Sequence, residues 1–231
     1  MKIAVFAYNF PHKKTQDTIL KLLIEGINIE CVIACDPVEL NLPKQTLRVK
    51  PRHIDLTHPE IICKRFNIPY FVTPHNSQEA IQILRNKNID LGVIAGARIL
   101  KKEVIESVKL GILNFHPGVL PFVRGLDTLK WAIYYNNPIG VSSHIINEKV
   151  DAGRIIEIKE IPLYKDDTLI DISLRLYETE IELLPKSIER INEKQIMEFE
   201  KIDTQYGYNK SMPSELECKI PDLLRQRLNK L

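Results

Sequence analysis

Three polar side chains of different chemistry lie near one another in the middle of this sequence. The run Gly111-Ile-Leu-Asn114-Phe-His116-Pro117-Gly118-Val-Leu-Pro121-Phe-Val-Arg124-Gly125 carries an amide and an imidazole two positions apart. A second run, Val141-Ser-Ser-His144-Ile-Ile-Asn-Glu-Lys-Val-Asp151-Ala-Gly153, carries a carboxylate just before a glycine turn. An amide, an imidazole and a carboxylate suit acyl transfer to an amine. Attack of a neutral amine on a carbonyl produces a tetrahedral oxyanion and leaves the nitrogen positively charged. Asn114 is a donor for that oxyanion, and His116 is a second donor or a stabilising charge. Asp151 either holds His116 protonated or takes the amine's proton through water. The attacking group belongs to the substrate, so neither a Ser or Cys nucleophile nor a metal is required. Taken singly, each residue has a plainer reading: Asn-x-His is common, a histidine near a strand end is often a packing group, and an Asp before Ala-Gly is often a turn residue.

Positioning these groups needs a strand that ends beside a loop. Ile112–Phe115 reads as that strand, and alternation puts Asn114 and His116 on one side of it, at the carboxyl end where ligands bind in open α/β sheets. Pro117, Gly118 and Pro121 make the following segment a shaped loop. Gly140–Ile146 is another strand, with Ser142 and His144 at alternating positions, and Ile155–Ile161 follows it.

Upstream, short apolar runs alternate with amphipathic ones. Strands are expected at Lys2–Tyr8, Ile29–Ala34, Tyr70–Val72 and Asp90–Ala95. Helices are expected at Thr15–Gly26, at His58–Phe66 with Thr57 as cap and Pro59 in the first turn, at Ser77–Asn86, at Lys101–Leu110 and at Leu126–Tyr135. Residues 36–56, rich in Pro, Lys and Arg, read as an irregular surface stretch. A long helix over Thr168–Ile191 should be kinked or split at Pro185. The alternation predicts an α/β fold with a mostly parallel central sheet flanked by helices over residues 1–192. Residues 193–231 read as a short C-terminal appendage with Tyr206, Tyr208 and a Leu-rich helix at Asp222–Leu231, suited to packing or to contacts in a homodimer.

Composition excludes several classes. The 231 residues carry 32 basic and 30 acidic groups for a net charge of +2, which argues against nucleic acid or a membrane surface as partner. Such a length buries enough surface to fold without disulfides or structural metal. The four cysteines, Cys31, Cys35, Cys63 and Cys218, lack zinc-site spacing and read as reduced thiols. The first residues lack the apolar length and cleavage site of a signal peptide, and no apolar run reaches bilayer length, so a cytoplasmic location is expected.

From about Asp90 to Ile156 the sequence resembles the folate-dependent formyltransferase family, whose members include glycinamide ribonucleotide transformylase, methionyl-tRNA formyltransferase and sugar N-formyltransferases. The resemblance rests on Asn114-Phe-His116-Pro117, Leu120-Pro121, Gly125 and Asp151-Ala-Gly153 in that order, with His144 seven residues before Asp151. Ala95-Gly96-Ala97-Arg98-Ile99-Leu100 and Trp131-Ala132-Ile133 are weaker echoes. The resemblance implies a Rossmann-like formyltransferase domain, 10-formyltetrahydrofolate as co-substrate, and Asn114, His116 and Asp151 as catalytic residues. It further implies Gly96, Arg98, Ile99, Leu100, His144 and Val150 at the folate.

Among acceptors, it favours the sugar N-formyltransferase branch, which acts on amino sugars linked to nucleotides in surface polysaccharide synthesis. Glycinamide ribonucleotide enzymes hold a phosphate on a Gly/Ser/Asn-rich turn, but here that turn reads Tyr8-Asn9-Phe10-Pro11-His12-Lys13, without glycine. Methionyl-tRNA enzymes carry a larger C-terminal domain than the segment after Asn192. Tyr8, His12 and Lys13 either meet the acceptor's diphosphate or base or form a solvated helix start. Phe122 and Arg124 either line the acceptor entrance or pack. A glycinamide ribonucleotide or other amine acceptor, and a binding module without catalysis, are the alternatives.

Overall fold

The computed structural model describes residues 1–39, 45–194 and 196–231. Within the stretch expected to be irregular over 36–56, residues 40–44 lie outside that description, and the remainder contains no helix or strand. Seven strands form one sheet: β1 (Ile3–Tyr8), β2 (Ile29–Cys35), β3 (Tyr70–Val72), β4 (Leu91–Ile94), β5 (Ile112–His116), β6 (Gly140–Ile146) and β7 (Gly153–Glu160). Their order is β3-β2-β1-β4-β5-β6-β7. The pairs from β3 through β5 are parallel, whereas β6 runs antiparallel to both β5 and β7.

The helices are α1 (Lys13–Ile24), α2 (Pro59–Arg65), α3 (Gln78–Asn86), α4 (Lys102–Ile105), α5 (Thr128–Tyr134), α6 (Leu169–Glu193), α7 (Ser214–Glu217) and α8 (Ile220–Leu228). Alternate residues of the central strands serve two cores. Ile3, Val5 and Ala7 of β1 join Val32, Val93, Leu113 and the apolar faces of α1 and α6, while Ala4 and Phe6 join Ile33, Ile112 and the face of α3. Burial on both faces explains why these strands are almost continuously apolar. Cys31 and Cys63 are buried free thiols, one in each core.

Several boundaries differ from the sequence expectation. Helix α1 begins two residues early because the His12 side chain accepts the Thr15 N–H and so caps the helix before Lys13. His58, not Thr57, caps α2, since Pro59 occupies the first turn and fixes the position before it as the cap. Helix α4 is cut to four residues, and the Ser107 hydroxyl donates to the Val104 carbonyl just beyond its end. Helix α6 runs through Pro185 without a break. Leu183, Leu184, Ser187 and Ile188 are buried on either side of the proline, and Ser187 donates to Ser143 Oγ of β6 at 2.8 Å, so packing offsets the missing hydrogen bond. Helix α8 starts at Ile220 because Pro221 is tolerated in a first turn.

The segment after α6 packs closely on the sheet domain. Ile220, Leu224 and Leu228 belong to the same core as β1 and α6. Glu217 and Lys130 form an ion pair, 1% and 2% exposed, with Asp127 Oδ1 3.2 Å from the Lys130 ammonium. The partner carboxyl is held low, to about 2: burial raises it, but the bonds from Lys130 and Thr46 outweigh that. Removing one member of a buried pair strands the other. We predict that Glu217→Ala lowers unfolding free energy by about 3 kcal/mol in urea titrations, whereas the double substitution Lys130→Met with Glu217→Leu recovers most of the loss. An unchanged midpoint in the single variant would contradict this account.

Candidate active site

The carboxyl end of β5 and the β6–β7 hairpin bring four of the singled-out side chains together. Asn114 pairs in register with His144, and His116 with Ser142. Asn114 Nδ2 lies 3.1 Å from His144 Nε2, and His144 Nδ1 lies 3.3 Å from the Ala152 carbonyl. Burial, reinforced by the nearby charge of His116, lowers His144 to about 4, so it is neutral at pH 7. A carbonyl only accepts, so the His144 proton sits on Nδ1, and Nε2 accepts an amide hydrogen from Asn114. The orientation of the Asn114 amide follows from that chain of bonds.

His116 is 4% exposed. Its Nε2 lies 2.7 Å from the Val123 carbonyl and its Nδ1 lies 3.3 Å from Asp151 Oδ1. Burial alone would lower its pKa, but the Asp151 carboxylate, the Val123 carbonyl and the charge of Glu180 raise it overall. Asp151 shifts the opposite way: burial pushes it up, yet His116 and the Gly125 N–H, at 2.7 Å from Oδ2, bring it down to about 2. Both ring nitrogens of His116 face acceptors, the Val123 carbonyl and the Asp151 carboxylate, which fits a doubly protonated imidazolium beside a carboxylate. The two imidazoles stand edge to face, with centroids 6.5 Å apart.

Local backbone geometry accounts for the glycines of the two runs. Asp151 has φ +43° and Gly153 φ +112°, and a Cβ on Gly153 would lie 2.0 Å from the Ile145 carbonyl oxygen. Only glycine lets the chain turn there and enter β7. The loop leaving β5 is stitched to β6 by Ser142, which accepts from the Leu120 N–H at 3.0 Å and donates to the Gly118 carbonyl at 2.8 Å. Thr128 donates to the Pro117 carbonyl at 2.5 Å.

The other singled-out residues are placed as follows. Tyr8 donates to the Ala97 carbonyl at 3.1 Å, and a Cβ on Gly96 would come within 2.7 Å of the Tyr8 ring. Leu100 is buried in the second core, whereas Arg98 and Ile99 are exposed, Ile99 at 71%. His12 caps α1, and burial together with Lys14, Lys50 and His53 lowers it to about 4. Lys13 pairs with Asp17 at 2.6 Å. Phe122 is exposed and meets the Tyr206 ring edge to face at 5.7 Å. Arg124 is 5% exposed, and its guanidinium donates to the carbonyls of Asp151, Tyr206 and Val150. Glu148, Lys149, Val150, Thr204, Tyr208 and Arg124 line a surface cavity of about 400 Å³, which does not include Asn114, His116 or His144.

Two further residues reach this site from the helices. Lys14 on α1 donates to the Phe115 carbonyl at 3.2 Å and pairs with buried Glu180 of α6 at 2.5 Å. Sequence reading passed over Ser142 and Glu180. Ser142 had a signal in its strand alternation with His144, while Glu180 had none beyond one acidic position on an amphipathic helix. Among the described residues, no cluster of His, Cys, Asp or Glu is arranged to hold a metal, and no helix is long and apolar enough to cross a membrane.

Residues 1–188 match the family model described as "Formyl transferase", and the chain belongs to that family. It is 32% identical over 142 residues to a methionyl-tRNA formyltransferase of Fusobacterium nucleatum, covering 61% of this chain and 46% of the relative. It is 33% identical over 112 residues to a phosphoribosylglycinamide formyltransferase of Haemophilus influenzae, covering 48% of this chain and 53% of that one. The chain thus spans about half the length of the curated relatives it matches. Its fold is similar to a sugar N-formyltransferase from a Shewanella species, with a TM-score of 0.62, 18% identity, and coverage of 97% of this chain and 87% of the other.

Three histidines lowered chiefly by burial, His12, His75 and His144, set a sign for the acid response. His12 and His144 have folded values near 4 against an ordinary 6.5, so between these pH values the unfolded chain binds protons that the folded chain does not. Stability is then present above 6.5 and lost as pH falls towards 4. His116, raised, acts in the opposite sense, losing its contribution as pH rises through its folded value. We predict a falling thermal midpoint from pH 6.5 to 4, with a shallower slope in His144→Gln. A slope unaltered by that substitution would remove His144 from the account.

Proposed function

We propose that the chain moves a formyl group from 10-formyltetrahydrofolate to the amine of a nucleotide-linked amino sugar. The observation that carries this reading is the meeting of Asn114, His116, His144 and Asp151 at the end of β5, in a chain of the formyl transferase family. The amine nitrogen bonds to the formyl carbon of the donor, that carbon's bond to the folate nitrogen breaks, and the proton the amine loses passes through water to the leaving nitrogen. Exposed Ile99, in the loop that leaves β4 next to β5, offers an apolar surface for the donor's ring system, and Val150 flanks Asp151 from the hairpin loop.

The residues divide the work by charge. Asn114 gives one amide hydrogen to His144 and keeps the other for the developing oxyanion. His116 adds a fixed positive charge beside that point; both its N–H groups are engaged, so it acts mainly through charge. Asp151, with a pKa near 2, is a poor proton store and a good counter-charge for His116 and for the ammonium that the attacking amine becomes. His144 holds the amide in orientation.

The acceptor class is supported by the turn after β1. Pro11 offers no N–H, and the His12 side chain is committed to capping α1, which makes a poor cradle for a ribonucleotide phosphate and also takes His12 out of the contacts proposed for an acceptor diphosphate. The balanced charge of the chain is unsuited to tRNA. The Haemophilus relative keeps glycinamide ribonucleotide as the second reading.

Incubation with 10-formyltetrahydrofolate and a panel of UDP- and dTDP-linked amino sugars, with glycinamide ribonucleotide alongside, tests both. The expected result is a mass gain of one formyl group on an amino sugar; modification of the purine precursor alone would overturn the acceptor assignment. We also predict that Asn114→Ala lowers kcat by about 100- to 1,000-fold with an unchanged melting curve. Full activity in that variant would remove Asn114 from the chemistry.

A further inference from the structure

We infer that the segment around residues 204–210, beyond the family match at 1–188, is part of the reaction machinery, and that Arg124 is the positioning residue through which it holds Asp151. The inference rests on the proposed role of Asp151 in formyl transfer.

Arg124 spreads its guanidinium over three carbonyls from two segments distant in sequence. Nε donates to Asp151 at 3.0 Å, one terminal nitrogen to Val150 at 2.6 Å, and the other to Tyr206 at 2.8 Å. A planar fork of this kind fixes relative positions in a way a single ammonium does not. The same tail segment then grips the backbone on either side of Gly125. Asn209 N donates to the Arg124 carbonyl at 2.8 Å, and Leu126 N donates to the Asn209 carbonyl at 2.9 Å. Between those two bonds, the Gly125 N–H is left to point at Asp151 Oδ2, at 2.7 Å.

Gly125 makes the approach workable: with φ +95°, a Cβ there would lie 2.1 Å from the Asn209 carbonyl oxygen. The tail is itself held down, by Trp131 Nε1 donating to the Lys210 carbonyl at 2.9 Å and by Met212 N donating to Asp127 Oδ2 at 2.9 Å. Asp151 sits at φ +43°, a conformation that the surroundings must enforce for a residue with a side chain. The latch supplies that enforcement from both ends of the residue, at its carbonyl and at its carboxylate. Although Arg124 borders the surface cavity, it is 5% exposed and its Nε and both terminal nitrogens are each engaged by a backbone carbonyl, which leaves little for a substrate.

The test reads Asp151 through its neighbour. The titratable and charged groups facing His116 are Asp151, His144 on β6 and Glu180 on α6, with Lys14 on α1 beside Glu180. NMR titration of the His116 ring in the full chain, assigned by its loss in His116→Asn, should show a pKa lower by about 1 to 3 units in Arg124→Gln and in Gly125→Ala, as Asp151 moves away. kcat should fall on the order of 10- to 100-fold with KM within about twofold. Arg124→Lys should be as impaired as Arg124→Gln, because a lysine reaches one carbonyl and not three. The double variant should be little worse than either single one.

Rescue by Lys, or a KM rise at unchanged kcat, would make Arg124 a substrate contact and overturn the proposal. So would a lowered melting temperature with unchanged His116 titration and unchanged kcat per folded molecule. A shifted His116 titration in a chain that formylates no amine on the panel would support the latch and count only against the proposed reaction.

Discussion

The buried contact between the His116 imidazolium and the Asp151 carboxylate is the constraint around which the site is arranged. Removing two charges from water costs several kcal/mol per ion, and their attraction offsets that only when geometry is good and the remaining donors and acceptors are filled. Here they are filled by backbone. Val123 takes the second imidazolium N–H, and Gly125 supplies the carboxylate's second hydrogen bond. Both come from the loop that follows β5, which explains why that loop is rich in Pro and Gly: it must curl back so that its own carbonyl and amide meet side chains from β5 and the β6–β7 hairpin.

Next to this charged pair lies a neutral one. His116 and His144 stand edge to face, yet their ionisation is driven apart, because one has a carboxylate and the other has only a carbonyl and an amide. Adjacent imidazoles that cannot both carry a proton settle into separate tasks, a principle general to paired titratable groups. The neutral ring holds the Asn114 amide by a hydrogen bond, and in the proposed reaction the charged ring supplies the field. Lys14, half-buried, pairs with buried Glu180 against the Phe115 carbonyl, so that helices α1 and α6 bear on the strand between Asn114 and His116.

The sheet divides into two functions. In the parallel part, β2, β1, β4 and β5 are largely buried and make the core, with β3 at its exposed edge; the antiparallel pair β6 and β7 delivers His144 and Asp151 back towards the end of β5. A parallel continuation would have sent the chain away through a crossover helix and placed Asp151 elsewhere. Reversal by a hairpin is what makes a residue far from His116 in sequence its neighbour in space, and Gly153 is the residue that permits the hairpin to close.

Much of this was readable in the residues alone. Continuous apolar runs and their spacing announced the strands and the α/β alternation, because burial on both faces leaves a direct compositional trace. The types and spacing of Asn114, His116 and Asp151 offered a candidate site, because strand alternation and glycine turns are local properties, and the resemblance to formyltransferases set it apart from plainer readings. Other features had no local signature. Whether Pro185 breaks α6 depends on packing of Leu183, Leu184, Ser187 and Ile188 against the sheet, which no window of sequence contains. Whether His12 faces a ligand or caps a helix depends on where α1 begins. Arg124 shows the difference most plainly: a positive side chain beside an exposed aromatic reads as a binding group until the fold places three distant carbonyls around it. Residue types and their spacing made plain which chemistry was available and roughly where it lay; which polar groups are spent on holding the protein together, and which remain for a substrate, is settled only by folding, since that depends on partners brought together across the chain.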